Sequence, residues 1–188
     1  MGEDDADDMS EGSFNSKSVW ARISVIAAGP AFNLILAWIF CVIIILSVGY
    51  RSPEISGVSE GYSAAEQGMQ AGDVIKEING RNVHIWDDVS LYTLTHPNET
   101  SLEVVYERDG EEYTAVIEPR QLEGHTTPKL GVTSGEVVKP GLLGAFQYGA
   151  YTVRYWINYT FDSLRMLVTR QLGIKDMSGP VGIVSAVV

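Results

Sequence analysis

Cysteine is almost absent from this 188-residue sequence, and basic residues are scarce. The single cysteine, Cys41, excludes a disulfide within the chain and a zinc site built from several cysteines. Thirteen Lys and Arg residues stand against 24 Asp and Glu residues, for a formal net charge of −11. Binding to nucleic acid needs a basic face, so this charge argues against nucleic acid as a partner. The three histidines lack the i, i+4 spacing of two ligands on one helix face, and we expect no metal site within this chain.

Charge is also absent from a long internal stretch, residues 23–50. A helix needs about 20 apolar residues to cross the roughly 30 Å of hydrocarbon in a bilayer. We therefore predict a transmembrane helix over residues 23–50. Lys17 and Arg22 precede it and Arg51 follows it, so the positive-inside rule places its N-terminal side in the cytoplasm. The residues that follow are then extracytoplasmic.

The start of this apolar stretch contains Pro30 and Asn33, within the segment "AGPAFN". Proline has no N–H, and the first turn of a helix needs none, so we predict that Pro30 lies in the first turn of the spanning helix. The amide of Asn33 follows about one turn later and requires a hydrogen-bond partner. Two alternatives remain: Asn33 faces lipid headgroups, or it points into a protein interior.

After Pro53 the pattern becomes that of a small α+β domain. Residues 55–58 read as a short strand, a short helix begins at Ser63, and residues 73–78 alternate into a strand closed by an Asn-Gly turn. Asp87 is the expected N-cap of the next helix, which stops before Pro97. A hairpin around an Asp-Gly turn completes the domain.

This order of elements, with "AGDVIKEING" at its centre, resembles a PDZ domain over residues 53–120. The resemblance implies that a peptide or a chain end docks as an extra strand beside a helix. A groove that is shut or unused is the alternative. The candidate peptide-binding residues are Ile55, Val58, Leu130, Gly131 and Val132.

Helical spacing returns in the C-terminal third, over residues 141–172. Apolar residues recur every three or four positions, whereas Arg154, Asn158 and Asp162 form a polar ladder on another face. Aromatic side chains crowd its middle, as is typical of a membrane interface. We predict an amphipathic helix that lies on the bilayer surface or packs on a protein neighbour. The segment "SGPVGI" follows it.

Four features therefore occur in order: "AGPAFN", a PDZ-like module, an amphipathic helix and "SGPVGI". Together they resemble the site-2 protease family of intramembrane zinc metalloproteases. The resemblance implies a zinc ion bound by an HExxH motif upstream and by an Asp downstream, so the chain would be an internal fragment that contains no catalytic residue and no metal ligand. It also implies substrates that are single-span membrane proteins, in a multi-pass protein of the cytoplasmic membrane. The residues that it places near the active site are Gly29, Pro30, Asn33, Gly179 and Pro180.

The competing hypothesis is a membrane-tethered PDZ adaptor without catalytic activity, which would account for the missing ligands without truncation. In either case the expected fold is a membrane α-helical protein with an inserted α+β domain, one transmembrane helix and one interfacial helix. The predicted segments are an acidic cytoplasmic loop (1–22), the transmembrane helix (23–50), the PDZ-like domain (53–120), a linker (121–140), the amphipathic helix (141–172) and the "SGPVGI" segment leading into a further membrane element (173–188).

Overall fold

The computed structural model describes residues 17–120 and 129–169, together with Phe14. These residues form a long N-terminal helix, a small α+β domain and a long C-terminal helix. The helices are α1 (Val19–Val48), α2 (Ser63–Glu66), α3 (Trp86–Thr95) and α4 (Leu142–Val168). The strands are β1 (Tyr50–Arg51), β2 (Ile55–Val58), β3 (Val74–Ile78), β4 (Arg81–Asn82), β5 (Leu102–Arg108), β6 (Glu111–Ile117), β7 (Val132–Ser134) and β8 (Val137–Val138).

The N-terminal helix α1 confirms the predicted long apolar helix. It has 30 residues, or about 45 Å at 1.5 Å per residue. Among the described helices it is the one that is long and apolar enough to cross a membrane, by length and composition. Its exposed surface is mostly apolar, and Val42 and Ile45 are its buried residues.

The predicted position of Pro30 in the first helical turn is wrong. The helix begins at Val19, because the Ser18 hydroxyl caps it by accepting a hydrogen bond from the Ala21 N–H at 3.3 Å. Pro30 therefore lies inside the helix, eleven residues after its start. The start is also four residues before the predicted boundary at residue 23. Proline is tolerated best in the first turn of a helix, and that is the rule behind the prediction. In apolar surroundings a helix can nevertheless continue past a proline, as α1 does at Pro30.

The sheet of the α+β domain has four strands in the order β4-β3-β5-β6, and all neighbours are antiparallel. Both predicted turns are present. Asn79 and Gly80 join β3 to β4 with φ of 48° and 75°, and Asp109 and Gly110 join β5 to β6 with φ of 53° and 83°. Positive φ at both central residues defines the type I′ hairpin turn, for which Asn-Gly and Asp-Gly are the preferred pairs.

One apolar core fills the space between this sheet and helices α2 and α3. Ile55, Ile75 and Ile78 are among its fully buried side chains. The other members are Ala64, Met69, Val83, Trp86, Val89, Tyr92, Leu102, Val104, Tyr106, Ala115, Ile117 and Leu130. Burial of this set of side chains is the main stabilising contribution within the domain.

Two further strands come from the segment that was expected to be a linker, residues 121–140. β7 pairs antiparallel with β2, and β8 pairs antiparallel with β1. Residues 129–138 thus belong to the α+β domain and to its attachment to α1, whereas residues 121–128 lie outside the described residues. Local sequence could not indicate this, because each pairing joins strands more than seventy residues apart.

Helix α3 starts two residues earlier than expected. Its N-cap is Ile85, and the helix ends at Thr95, before Pro97 as predicted. Asp87 lies in the first turn and is not the cap. The cap is instead satisfied from inside the helix, because the Asp88 carboxylate accepts hydrogen bonds from the N–H groups of His84 and Ile85 at 3.0 and 3.3 Å.

Helix α4 packs against both α1 and the α+β domain. Near its start, Trp38 Nε1 donates a hydrogen bond to the Phe146 carbonyl at 3.0 Å, and Gly149 lies against Val42. The small residues Ala145 and Gly149, four positions apart, permit this close approach of two helices. Farther along, the predicted polar ladder faces the α+β domain, where Arg81 pairs with the Asp162 carboxylate at 2.9 Å. The predicted helix is therefore present, and its polar face is covered by the domain.

Candidate functional site: the groove between α3 and β7

An open groove of about 430 Å³ separates α3 from β7. Its helical wall presents apolar and hydroxyl side chains, and its other wall is the strand together with the residues that lead into it. The lining residues are Trp86, Val89, Ser90, Thr93 and Leu94 from α3, and Lys129, Leu130, Val132, Thr133 and Ser134. Such a groove fits an extended peptide whose apolar side chains enter it while its backbone follows β7.

The strand wall is positioned by contacts behind it. Val58 of β2 is paired with Val132, and the Ser56 hydroxyl donates to the Ser134 carbonyl at 2.6 Å. Gly131, with φ of +81°, makes the turn into β7, and a Cβ at this position would overlap Tyr62. Among the described strands, β2 is the one partner of β7, so the edge toward α3 is unpaired.

The five candidate peptide-binding residues occupy three kinds of position. Leu130 and Val132 line the groove, and Gly131 forms the turn between them. Ile55 is fully buried in the core and Val58 packs against it, so both support β7 without lining the groove.

The helical wall was missed by sequence reasoning. Trp86, Val89, Ser90 and Thr93 recur at the spacing of one helix face, which was the available signal. The spacing by itself does not distinguish a groove wall from a core face.

The first turn of α3 carries two carboxylates, and each is in an ion pair. Asp87 pairs with Arg51 of β1 at 2.6 Å, and Asp88 lies 3.4 Å from Arg154 of α4. Two residues before α3, the His84 ring lies 3.9 Å from the ring of Tyr151 in α4, measured between centroids. Burial, and then the charge of Arg154, lower the pKa of His84. This end of the groove is thus fixed to elements outside the α+β domain.

The "AGPAFN" residues lie together on α1, far along the chain from the groove. Gly29, Pro30 and Asn33 are all exposed, and nothing lies within 4 Å of the position that a Cβ on Gly29 would take. Within the described residues, the Asn33 side chain has no hydrogen-bond partner. Gly179 and Pro180 lie outside the described residues. This face of α1 is therefore uncovered by the described part of the chain.

In the described part of the chain, potential metal ligands do not cluster. No group of three or more His, Cys, Asp or Glu side chains there is arranged to hold a metal ion. The described residues therefore do not fit a zinc ion.

Comparison with known proteins decides the family. The sequence model of peptidase family M50 matches residues 1–188. The chain belongs to this family. The resemblance to the site-2 proteases, which are the M50 peptidases, is therefore confirmed.

Two relatives of this M50 chain carry specific names. The zinc metalloprotease RasP of Bacillus licheniformis is 37% identical over 174 residues, which are 90% of this chain and 41% of that protein. The regulator of sigma-W protease RasP of Bacillus subtilis is 34% identical over 173 residues, again 90% of this chain and 41% of that protein. The chain thus spans about two fifths of the length of these relatives.

Among solved structures, the PDZ domain of an SdrC-like protein from Listeria monocytogenes is similar. It is 23% identical, with a TM-score of 0.41, and the match covers 46% of this chain and 90% of that one.

Proposed function

We propose that this chain is the central part of a membrane-embedded zinc metalloendopeptidase that cleaves single-span membrane proteins within the bilayer. The observation that carries the proposal is the family match over residues 1–188. The names of both RasP relatives support it. In the full-length protein the zinc ion would be bound by residues outside this chain, and it would activate the water that attacks the peptide bond.

Helix α1 crosses the cytoplasmic membrane in this proposal. Its length of about 45 Å exceeds the roughly 30 Å of hydrocarbon, so part of it extends beyond the bilayer core. Lys17 and Arg22 lie on its cytoplasmic side and Arg51 on the other. The α+β domain and its groove are then extracytoplasmic.

The uncovered face of α1 around Gly29, Pro30 and Asn33 would border the active site. Cleavage within a bilayer exposes backbone groups of the substrate, and these need hydrogen-bond partners where no water is present. The Asn33 amide, which has no hydrogen-bond partner among the described residues, supports this role because it can both donate and accept. Gly179 and Pro180 would belong to the same region.

The groove would dock or filter substrates. β7 has an unpaired edge toward α3, and an extended peptide or chain end can add to such an edge through main-chain hydrogen bonds. The apolar side chains of the groove, such as Leu94 and Val132, would receive alternate side chains of the peptide.

Helix α4 would lie on the outer surface of the bilayer. Its polar face is already occupied by the α+β domain, through Arg154 and Asp162. Its remaining surface exposes large apolar side chains, including Trp156, Phe161 and Leu164. Aromatic and apolar residues of this kind are favoured at the boundary of headgroups and acyl chains.

The test uses the full-length protein in membranes, with a labelled single-span protein as substrate. We expect bound zinc in the purified protein, and cleavage that is lost when zinc is chelated. Asn33→Ala should reduce cleavage at unchanged expression. Ser47→Ala is the matched control, because that hydroxyl hydrogen bonds to the Ile43 carbonyl of its own helix.

Two results would contradict the proposal. One is a full-length protein without zinc and without cleavage, which is the outcome expected of a tethered adaptor. The other is equal cleavage by wild type and Asn33→Ala, which would remove the role given to Asn33.

A further inference from the structure

The helical wall of the groove is attached at its first turn to two elements outside the α+β core. Asp87 Oδ1 lies 2.6 Å from Arg51 Nη2, in the strand that directly follows α1. Asp88 Oδ2 lies 3.4 Å from Arg154 Nη2, in α4. Two consecutive carboxylates therefore connect α3 to β1, which directly follows α1, and to α4. We call these two ion pairs the α3 anchor.

Asp88 makes the anchor sensitive to the position of α4. Its side chain is 8% exposed, and the same Oδ2 atom accepts hydrogen bonds from the N–H groups of His84 and Ile85, which directly precede α3. Arg154 also donates to the Asn82 carbonyl at 2.9 Å. Because one buried oxygen serves the helix cap and the ion pair together, a displacement of Arg154 acts directly on the first turn of α3.

The strand wall is attached to the same elements by the chain itself. Gly135 and Glu136 join β7 to β8, which pairs with β1 through Tyr50↔Val138 and Arg51↔Val137. Gly49, at the end of α1, has φ of +88°, and a Cβ there would lie 2.6 Å from the Val138 carbonyl oxygen. α4 begins four residues after β8. Arg51 thus contacts β8, the strand that directly follows the strand wall, through its backbone, and it contacts the helical wall through its side chain.

We propose that Arg51 and Arg154 are positioning residues that set the separation of the two groove walls, so that the state of the groove is coupled to the packing of α1 against α4. A peptide that changes the separation of the walls would then also change the α1–α4 contact. By linkage, the factor by which peptide shifts the equilibrium of the α1–α4 contact equals the factor by which that contact changes the affinity for peptide. This inference rests on the proposed use of the groove for peptides, but its test requires neither peptide nor proteolysis.

The test measures the distance between the walls in the whole 188-residue chain in detergent micelles. Spin labels are placed at Ser90 and Thr133, which line opposite walls and are exposed, in a Cys41→Ser background. Arg154→Met and Arg51→Met should each give a longer mean distance and a broader distribution. The first-turn amides of α3 should also exchange with solvent roughly tenfold faster, since each variant loses a hydrogen bond to a charged group.

The matched control is Lys76→Met, which removes an exposed ion pair of 2.8 Å with Glu107 in the same domain, away from the groove. It should leave the distance unchanged. Arg51→Asp combined with Asp87→Arg reverses one ion pair and should restore the distance toward wild type. Near-ultraviolet circular dichroism verifies that each variant is folded.

An unchanged distance in both arginine variants would overturn the proposal, as would an equal change in Lys76→Met. If the reversed pair does not restore the distance, Arg51 is not a positioning residue of the groove. Absence of zinc-dependent cleavage in the full-length protein would remove the proposed function instead and would not alter these distances. The two proposals therefore fail by different measurements.

Discussion

At the scale of single residues, Asp73 is a fully buried carboxylate of the α+β domain, and both of its oxygens accept hydrogen bonds. Asp73 Oδ1 and Oδ2 accept from Arg108 Nε and Nη2 at 2.6 and 2.7 Å, and Oδ2 also accepts the Gln70 N–H at 2.8 Å. This hydrogen bonding to Asp73 raises the pKa of Arg108. The ion pair ties the turn before β3 to the end of β5.

Loss of this carboxylate should be strongly destabilising. Asp73→Ala removes a fully buried acceptor of three hydrogen bonds, and the loss of hydrogen bonds to a charged group costs on the order of 2 kcal/mol. Urea unfolding of the whole chain, followed by circular dichroism, measures this change. The matched control is Glu112→Ala, on the exposed part of β6. Asp109 is unsuitable as a control position, because its backbone has a positive φ that alanine adopts poorly. Equal stability of Asp73→Ala and Glu112→Ala would contradict the assignment.

His84 gives the domain a stability that depends on pH. Burial and the charge of Arg154 lower its pKa, while Asp88 acts in the opposite direction. The unfolded chain, with a histidine pKa of about 6.5, therefore takes up a proton before the folded protein does. Stability that is present above this pH is lost as the pH falls below it.

We expect the free energy of unfolding of wild type to decrease between pH 7.5 and 5.5 more than that of His84→Gln. Glutamine removes the titrating group and keeps a polar side chain beside Tyr151. Unfolding by urea at several pH values measures the two slopes. Parallel slopes would show that His84 does not contribute.

At the scale of elements, the contact between α1 and α4 depends on small residues in α4. Ala145 is fully buried, and a Cβ on Gly149 would lie 2.8 Å from Val42 Cγ2 and 3.4 Å from the Trp38 ring. Gly149→Leu should therefore separate the two helices and break the Trp38 hydrogen bond to the Phe146 carbonyl.

Hydrogen exchange of the amides in the first half of α4 measures this separation, and the variant should exchange faster. Gly141→Leu is the matched control, because nothing lies within 4 Å of its Cβ position. If both leucine variants exchange like wild type, Gly149 does not determine the approach of the helices.

Elements formed by local chemistry were predicted well from the sequence. The turns at Asn79–Gly80 and Asp109–Gly110 follow from residues that tolerate positive φ, and the strand over residues 55–58 has the predicted bounds. The start of α1 was misplaced because the proline rule is local, whereas the Ser18 cap and the apolar length of the helix determine its extent.

The groove could be predicted only in part, for a different reason. Leu130 and Val132 were named, but their opposite wall lies some forty residues earlier in the chain, in α3. Its place beside β7 follows from the pairing of β7 with β2, which has no local signature. The polar ladder on α4 was likewise recognised, while its partners Arg81 and Asp88 were not.

At the scale of the whole molecule, the proposed function makes the groove the surface that would select substrates. Its two walls are an unpaired strand edge and a helix, and they enclose about 430 Å³. A bulky side chain in the middle of the helical wall would occupy that volume without touching the core, since Ser90 is exposed.

We therefore expect Ser90→Trp in the full-length protein to change which single-span substrates are cleaved, while zinc content and thermal unfolding stay as in wild type. If the groove docks substrates, cleavage falls for those that need docking. If the groove filters substrates, cleavage rises or falls according to the length of their extracytoplasmic part.

Thr114→Trp, on an exposed position of β6 outside the groove, is the matched control and should cleave like wild type. Identical cleavage by both tryptophan variants over a series of substrates with shortened extracytoplasmic segments would exclude the groove from selection.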